Sequence, residues 1–115
     1  VHHNAQYIAA GAAVLDLNLA LYAMDHSLAG LEFFSGIPGT IGGALAMNAG
    51  AYGSDTAATL IEATAINLQG ETKIFNVAEI GYFYRGKKLS DDWIFLEAKF
   101  KYSNGDKTEI ARRIK

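Results

Sequence analysis

Residues 30–53 read GLEFFSGIPGTIGGALAMNAGAYG, and this glycine-rich stretch decides the fold. Positions 35–43 alone hold four glycines, a proline, a serine and a threonine. Glycine lets a backbone approach a ligand closely and present N–H groups to an anion, while Pro38 stiffens the loop. Thr40 is a suitable helix N-cap, and a helix beginning near Ile41 would direct its N-terminus at the same anion. This chemistry favours a diphosphate as the ligand.

The second half of the stretch keeps its side chains small except at three positions. Met47, Asn48 and Tyr52 supply a thioether, an amide and a phenol within a run of alanine and glycine. Such a run suits a flat aromatic ligand packed against backbone, although glycine clusters also build plain turns and Met or Tyr often only fill a core. Neither common nucleotide fingerprint is present, because there is no GxxxxGK[ST] and no GxGxxG after a strand.

Composition places the chain among globular proteins. It has 115 residues, of which 50% are hydrophobic and 19% charged, with a net charge of −2. This charge predicts no nucleic-acid partner, and no apolar run reaches the roughly 18 residues of a membrane span. The lack of cysteine excludes disulfides and zinc–thiolate sites and is typical of a reducing cytoplasm. No metal site is predicted, because no carboxylate is suitably spaced from the histidines His2, His3 and His26.

Helix and strand signals alternate irregularly, which predicts an α+β fold. A helix is predicted from Val14 to about Met24, and a short helical turn over Val77–Tyr84 that ends near Arg85. The helical spacing that predicts the first of these comes from Val14, Leu17, Leu21 and Met24. We also expect exposed apolar surface around Leu15, Leu19 and the face of Trp93.

Three strands stand out in the second half of the chain. Residues 60–68 and 72–77 are predicted to form a hairpin around a Gln69-Gly70 turn. Residues 93–102 form the clearest strand, because apolar and charged side chains alternate along it. The apolar face is predicted to contain Ile94, Leu96, Ala98, Phe100 and Tyr102, and the opposite face Glu97, Lys99 and Lys101.

The residues at both ends of the chain indicate that it is a fragment of a longer protein. The first residue is Val1 rather than a methionine. Asp106 and Glu109 have the spacing of a capping box, which predicts a helix that is cut short at Lys115.

Residues 30–53 resemble the signature of the UDP-N-acetylmuramate dehydrogenases, also called UDP-N-acetylenolpyruvoylglucosamine reductases. Residues 7–13 resemble the strand and turn that precede this signature in the family, and residues 81–85 and 93–100 resemble the segment that follows it. The resemblance therefore covers residues 7–103. It implies an FAD-binding domain of the vanillyl-alcohol-oxidase type, also called the PCMH type.

The resemblance also implies a domain organisation. Residues 1–105 would form the second lobe of this FAD-binding domain, an antiparallel or mixed sheet flanked by helices, without the N-terminal lobe that completes the FAD site. Residues 106–115 would begin a helix leading to a C-terminal substrate-binding domain. The family's catalytic serine and glutamate lie in that domain and have no match here. We therefore expect little or no turnover and weak FAD binding from this chain alone.

In this family NADPH reduces FAD, and the flavin delivers hydride to UDP-N-acetylglucosamine-enolpyruvate in the cytoplasmic synthesis of peptidoglycan precursors. The resemblance thus implies FAD as the cofactor, NADPH as the reductant and a nucleotide-sugar substrate, with no nucleic-acid or membrane partner. Arg85 matches the catalytic arginine, whose forked guanidinium suits an enolate-like carboxylate, and Tyr84 would be a substrate-side neighbour. The implied FAD contacts are Ser35, Gly36, Ile37, Pro38, Gly39, Thr40, Gly42, Gly43, Asn48, Ala49, Gly50, Tyr52 and Gly53.

One departure from the family pattern follows the arginine. Many members continue Tyr-Arg-x-Ser, whereas this chain has Lys87 in place of the serine. Lys87 or Lys88 would serve the phosphates of the substrate or face water. Two other functions remain open, namely another FAD oxidoreductase of the same superfamily in which Arg85 binds a different carboxylate, and a stand-alone FAD-binding module.

Overall fold

The computed structural model describes residues 1–114, and Lys115, predicted to lie in the last helix, is outside the described residues. The strands are β1 (His2–His3), β2 (Ile8–Gly11), β3 (Leu28–Ala29), β4 (Gly50–Ala51), β5 (Ser54–Asp55), β6 (Leu60–Ile66), β7 (Thr72–Asn76), β8 (Tyr82–Phe83), β9 (Gly86–Lys87), β10 (Ile94–Phe100) and β11 (Ser103–Asn104). The helices are α1 (Asp16–Asp25), α2 (Ile41–Met47), α3 (Thr56–Thr59), α4 (Val77–Ile80) and α5 (Lys107–Arg113), with a 3-10 helix at Glu32–Gly36. None of the helices in residues 1–114 is long and apolar enough to cross a lipid bilayer.

A five-stranded antiparallel sheet in the order β1-β2-β10-β6-β7 forms the centre of the fold. The predicted hairpin is confirmed, since β6 pairs with β7 from Glu62 opposite Asn76 to Ile66 opposite Thr72. Its turn is held by Asn67, whose Oδ1 accepts from the backbone N–H groups of Gln69 and Glu71. Helices pack against the sheet, so the α+β class is confirmed.

The predicted faces of the central strand β10 are wrong at its first residues. Ile94 and Leu96 are exposed, whereas Phe95, Ala98 and Phe100 are buried. The register between β10 and β6 shifts between Phe95 and Glu97, which marks a β-bulge or irregularity. An extra residue in one strand moves the side chains beyond it to the opposite face, and a regular alternation cannot reveal this.

The first predicted helix is confirmed as α1, but the apolar residues whose spacing predicts it are not the ones that it buries. The buried residues of α1 follow the i, i+3, i+4, i+7 pattern of one helical face: Asp16, Leu19, Ala20 and Ala23. Leu17 is exposed, as is Leu15 just before the helix, whereas Leu19 is fully buried instead of exposed as predicted. The buried stripe was hidden because it begins with a charged residue and contains two alanines.

The remaining predicted helices differ in detail from the structure. The turn predicted over Val77–Tyr84 is only the single turn of α4, which Asn76 and Glu79 cap reciprocally. Helix α5 is present, but Asp106 makes no side-chain capping hydrogen bond, so the predicted capping box is wrong.

The glycine-rich stretch folds on one side of the sheet. It forms the 3-10 helix, a loop, α2 and the small β4–β5 hairpin. The 3-10 helix packs against α1, and the ring of Phe34 meets the ring of Phe100 edge-on at 5.3 Å. Helix α2 packs against β10. The buried phenylalanines thus fix one side of the stretch to the core and leave the loop and α2 to form a surface.

Candidate functional site

Helix α2 begins as the sequence predicts, but its N-terminal donors are already engaged. Thr40 is the N-cap, and its Oγ1 accepts from the backbone N–H of Gly43 at 3.4 Å. The N–H of Ile41 donates to the carbonyl of Val14 and that of Gly42 to the carbonyl of Ala12, both at 2.9 Å. An anion at this helix end would have to displace these bonds. The helix N-terminus is therefore not the open anion site that the sequence predicts.

A cavity of about 360 Å³ lies beside the loop and α2, and we call it the cradle cavity. Two glycines contribute backbone to its wall. Gly39 adopts a φ of +111°, and outside the neighbouring residues and the backbone of α2 the nearest atom to a Cβ on Gly43 would be Oγ1 of Thr40, at 3.8 Å. Met47 adds an exposed thioether to this wall. The cradle cavity is lined by Ile37, Pro38, Gly39, Thr40, Gly43, Ala44, Met47, Asn48, Ala49, Gly50 and Arg85.

The other predicted contact residues lie around this cavity rather than in its lining. Ser35 donates from Oγ to the carbonyl of Glu32, and Gly36 lies beneath the ring of Tyr52, where a Cβ would come within 2.6 Å of the ring. Gly42 packs against Ala12. Tyr52 lines a separate cavity of about 440 Å³ together with Gly30, Glu32, Phe33, Ser54 and Arg113.

Arg85 lies at the tip of the β8–β9 hairpin and borders two cavities. It lines the cradle cavity and also a neighbouring cavity of about 240 Å³, which contains Gly53 and Tyr84. Its φ is +60°, in the left-handed region that side chains other than glycine rarely adopt. Its guanidinium carbon lies 5.1 Å from the centre of the Tyr84 ring. Strain of this kind is commonly concentrated at functional sites.

Two side chains fasten this hairpin to α2. The Nδ2 of Asn48 donates to the carbonyl of Phe83 at 3.0 Å, and its Oδ1 accepts from the N–H of Ala57 at 2.8 Å. The phenol of Tyr82 donates to the carbonyl of Leu45 at 2.6 Å, and burial raises the pKa of that phenol above its ordinary value. Tyr82 was not predicted to matter, because its partner is 37 positions away and no local pattern signals the contact.

Lys87 has neither of its predicted roles. Its side chain is only 5% exposed, and its Nζ donates to the carbonyl of Leu89 at 2.9 Å and to Oδ1 of Asp91 at 2.8 Å. The hydrogen bond and the charge of Lys87 lower the pKa of the Asp91 carboxyl. The ammonium group therefore holds the base of the hairpin and faces neither water nor the cradle cavity. Lys88 is exposed.

A buried acid lies directly behind the loop and was missed by the sequence reasoning. Asp16 is 1% exposed, and within residues 1–114 neither carboxylate oxygen has a hydrogen-bond partner. Burial raises the pKa of this carboxyl to about 6. The N–H of Asp16 donates to the carbonyl of Gly39, and Oδ2 lies 4.0 Å from the position of a Gly39 Cβ. Its place at the start of the buried stripe of α1 was the available signal.

A sequence profile described as the FAD binding domain matches residues 1–76 of this chain. The chain belongs to the FAD-binding domain family. The predicted cofactor, FAD, is thereby confirmed at the level of the family.

Comparison with individual relatives confirms the more specific resemblance. A UDP-N-acetylenolpyruvoylglucosamine reductase from Wolbachia sp. subsp. Drosophila simulans (strain wRi) is 50% identical over 109 residues, which cover 94% of this chain and 37% of the relative. The protein of that name from Parvibaculum lavamentivorans is 46% identical over 107 residues, 93% of this chain and 34% of the relative. The chain thus spans little more than a third of these relatives.

The fold has a close counterpart among solved structures. The crystal structure of UDP-N-acetylenolpyruvylglucosamine reductase from Thermus caldophilus superposes with a TM-score of 0.86 at 30% identity, covering 98% of this chain and 42% of that chain. The predicted FAD-domain fold is therefore confirmed.

Proposed function

We propose that this chain is part of a flavoenzyme that reduces UDP-N-acetylglucosamine-enolpyruvate to UDP-N-acetylmuramate, with NADPH as reductant, in the cytoplasmic synthesis of peptidoglycan precursors. One observation carries the proposal: Arg85, in a strained left-handed conformation, lines the same cavity as the glycine-rich loop. An arginine beside the cavity proposed for the cofactor would be able to bind a substrate carboxylate there. The names of the relatives at 50% and 46% identity support the same reaction.

Residues 1–105 would supply one lobe of the FAD-binding domain, and residues 106–115 would lead toward a substrate-binding domain. The relatives are nearly three times as long as the region they share with this chain, which leaves room for a further lobe and domain. The serine and glutamate that the reaction requires would come from that additional sequence.

The backbone wall of the cradle cavity fits one side of a flat ring system. Gly43 is open on its cavity side and Met47 is exposed beside it, so a planar ligand could lie against helix backbone and a polarisable thioether. When bound, FAD would supply the hydride chemistry. We propose contacts with the cofactor from Ser35, Gly36, Ile37, Pro38, Gly39, Thr40, Gly42, Gly43, Asn48, Ala49, Gly50, Tyr52 and Gly53.

Arg85 would hold the carboxylate of the substrate and stabilise negative charge that builds on it. A guanidinium is permanently charged and donates two parallel hydrogen bonds to a carboxylate, which a lysine does not. Tyr84 packs its ring against the Arg85 guanidinium and is largely exposed, so it would line the substrate side.

The test uses the full-length protein that carries this chain. The purified protein should be yellow and should oxidise NADPH only when the enolpyruvyl substrate is present. Arg85→Lys should keep FAD but lower kcat by about 10²- to 10³-fold, as loss of a donor to developing charge does in other enzymes. Arg112→Lys, on the surface of α5, is the matched control and should leave kcat unchanged.

Two results would contradict the proposed function. A full-length protein that never retains flavin would remove the cofactor assignment. A protein that binds FAD but oxidises NADPH independently of the enolpyruvyl substrate would instead favour another oxidoreductase of the same superfamily.

A further inference from the structure

We propose that Asn48 is a positioning residue for Arg85: its side chain fixes the hairpin that carries Arg85 to the end of α2, so that Arg85 stays in the wall of the cradle cavity. The inference rests on the proposed function and deepens it. It assigns the Asn48 amide to the protein framework, while the backbone of Asn48 remains part of the cavity wall.

The amide of Asn48 joins three segments. Asn48 ends α2 as its C-cap, Nδ2 bonds to Phe83 in the hairpin, and Oδ1 bonds to Ala57 in α3. The residue is only 7% exposed. Both ends of the amide therefore already have partners, and the group is locked between the cavity wall and the strand that leads to Arg85.

The hairpin has few other attachments near its tip. Each strand is two residues long, and Phe83 and Tyr84 are 53% and 82% exposed. Lys87 is bonded to Leu89 and Asp91, which belong to the same local segment. Tyr82 adds the second bond to α2, through the carbonyl of Leu45. Within residues 1–114, Asn48 and Tyr82 thus make the side-chain hydrogen bonds that fix the hairpin to α2.

Small movements of the hairpin would matter for Arg85. Its backbone is held in the left-handed region, so the guanidinium direction depends on the turn keeping this shape. A misplacement of about 1 Å of a catalytic group can lower a rate about 10²-fold. A loosened hairpin would therefore impair Arg85 without emptying the cradle cavity.

Asn48→Gly is the sharpest variant, because the φ of Asn48 is +50° and glycine keeps this backbone while losing both hydrogen bonds. Tyr82→Phe removes only the bond to Leu45. Matched controls are Asn67→Gly in the exposed β6–β7 turn and Tyr22→Phe, whose phenol bonds to His3. All variants are made in the full-length holoenzyme.

We expect Asn48→Gly to lower kcat about 10- to 100-fold with FAD affinity within about twofold, and Tyr82→Phe to have a smaller effect in the same direction. Hydrogen exchange of the backbone amides of residues 83–87 should become about tenfold faster in Asn48→Gly and remain unchanged in both controls. In an Arg85→Ala background, Asn48→Gly should cause no further loss of kcat, because its effect passes through Arg85.

Three results would overturn the inference. Loss of FAD from Asn48→Gly with unchanged exchange would make the side-chain amide of Asn48 a cofactor ligand. Additive losses in the double variant would show that Asn48 acts independently of Arg85. Unchanged kcat despite faster exchange would show that the hairpin attachment does not position the arginine. Absence of enolpyruvyl-dependent NADPH oxidation in the unsubstituted protein would instead overturn the proposed function. The exchange measurement would then still test whether Asn48 holds the hairpin.

Discussion

Gly43 and Gly50 belong to the same glycine-rich stretch but are required for different reasons. A Cβ on Gly50 would lie 2.7 Å from the carbonyl oxygen of Ser54 and 2.9 Å from Cβ of Asp55, so the β4–β5 hairpin would have to open. A Cβ on Gly43 meets nothing closer than Oγ1 of Thr40 at 3.8 Å and faces the cradle cavity. Gly50 is therefore needed for a stable fold, and Gly43 is needed for the proposed ligand to lie against the helix.

Alanine at these two positions separates folding from binding. Gly50→Ala should lower the free energy of unfolding by about 1–3 kcal/mol through overpacking. Gly43→Ala should raise it by roughly 0.5–1 kcal/mol, because alanine is favoured over glycine inside a helix, yet FAD affinity should fall. Urea unfolding and flavin titration of the full-length protein measure both effects. Unchanged FAD affinity in Gly43→Ala would argue against the cradle cavity as the flavin site.

Asp16 should make stability depend on pH. Its pKa is raised to about 6 in the folded protein from a usual value of 3.8, so the folded state binds its proton more tightly than the unfolded state does. The favourable contribution is fully present below pH 3.8 and is lost as pH rises through about 6. From pH 4 to pH 7 this group should therefore lower the free energy of unfolding by about 2–3 kcal/mol.

Asp16→Asn isolates this effect, because the amide cannot ionise. The difference in unfolding free energy between the variant and the unsubstituted protein should shift in favour of the variant as pH rises from 4 to 7. Asp92→Asn, at an exposed position, is the control and should show no such trend. A pH-independent difference for Asp16→Asn would mean that the carboxyl is solvated or finds a partner in solution.

At the scale of elements, one ion pair joins α5 to the glycine-rich stretch. Nη1 of Arg113 donates to Oε2 of Glu32 at 2.8 Å, and Oε1 of Glu32 accepts from the N–H of Gly30 at 2.6 Å. Burial acts to raise the pKa of Glu32, but the hydrogen bonds and the charge of Arg113 outweigh it and lower that pKa. The pair therefore stabilises the docked helix above pH 4.5, and this contribution is lost as pH falls through the lowered pKa.

Arg113→Ala should loosen α5 while leaving the sheet intact. Hydrogen exchange of the Ile110 and Ile114 amides should become faster, and high salt should produce the same change in the unsubstituted protein. Arg112→Ala is the matched control, because Arg112 pairs only with Glu109 of its own helix among the described ion pairs. Equal exchange in the two variants would mean that the Arg113–Glu32 pair does not dock the helix, and that the packing of Ile110 and the Lys107–Asp25 pair do.

Elements set by local chemistry could be predicted from the sequence, and those set by distant contacts could not. Thr40 caps α2 through its own third neighbour, and the Asn67 turn closes within five residues, so both follow from short patterns. The faces of β10 depend on a shift against β6, and Asn48 meets Phe83 35 positions later. For the candidate site, the sequence therefore predicted the loop, Asn48 and Arg85 as site residues, but not Tyr82 or the bond from Asn48 to Phe83.

At the scale of the whole molecule, the outer face of the sheet carries an isoleucine patch, formed by Ile66, Ile74 and Ile94. Ile66 lies directly opposite Ile94, and Ile74 is opposite Thr64, which places it diagonally from Ile66 on the same face. Ile74 and Ile94 are 55% and 56% exposed. The core lies on the other face, with Ala63, Ala65 and Phe75. The sheet therefore presents apolar surface on both sides, and only one side is covered within residues 1–114.

The isoleucine patch should cause the 115-residue chain to self-associate when it is produced alone. The double variant Ile74→Thr, Ile94→Thr keeps β-branched residues in both strands and removes apolar surface without touching the core. Each buried methylene contributes about 0.8 kcal/mol, and a change of about 1.4 kcal/mol in the free energy of association is a factor of ten in affinity. Loss of apolar groups at both positions should therefore weaken association at least about tenfold. Sedimentation velocity over a range of concentrations measures this. The control is Leu68→Thr, at a turn position that is 76% exposed but outside the patch, and it should leave association unchanged. If Leu68→Thr weakens association equally, the association comes from general surface hydrophobicity and not from the patch.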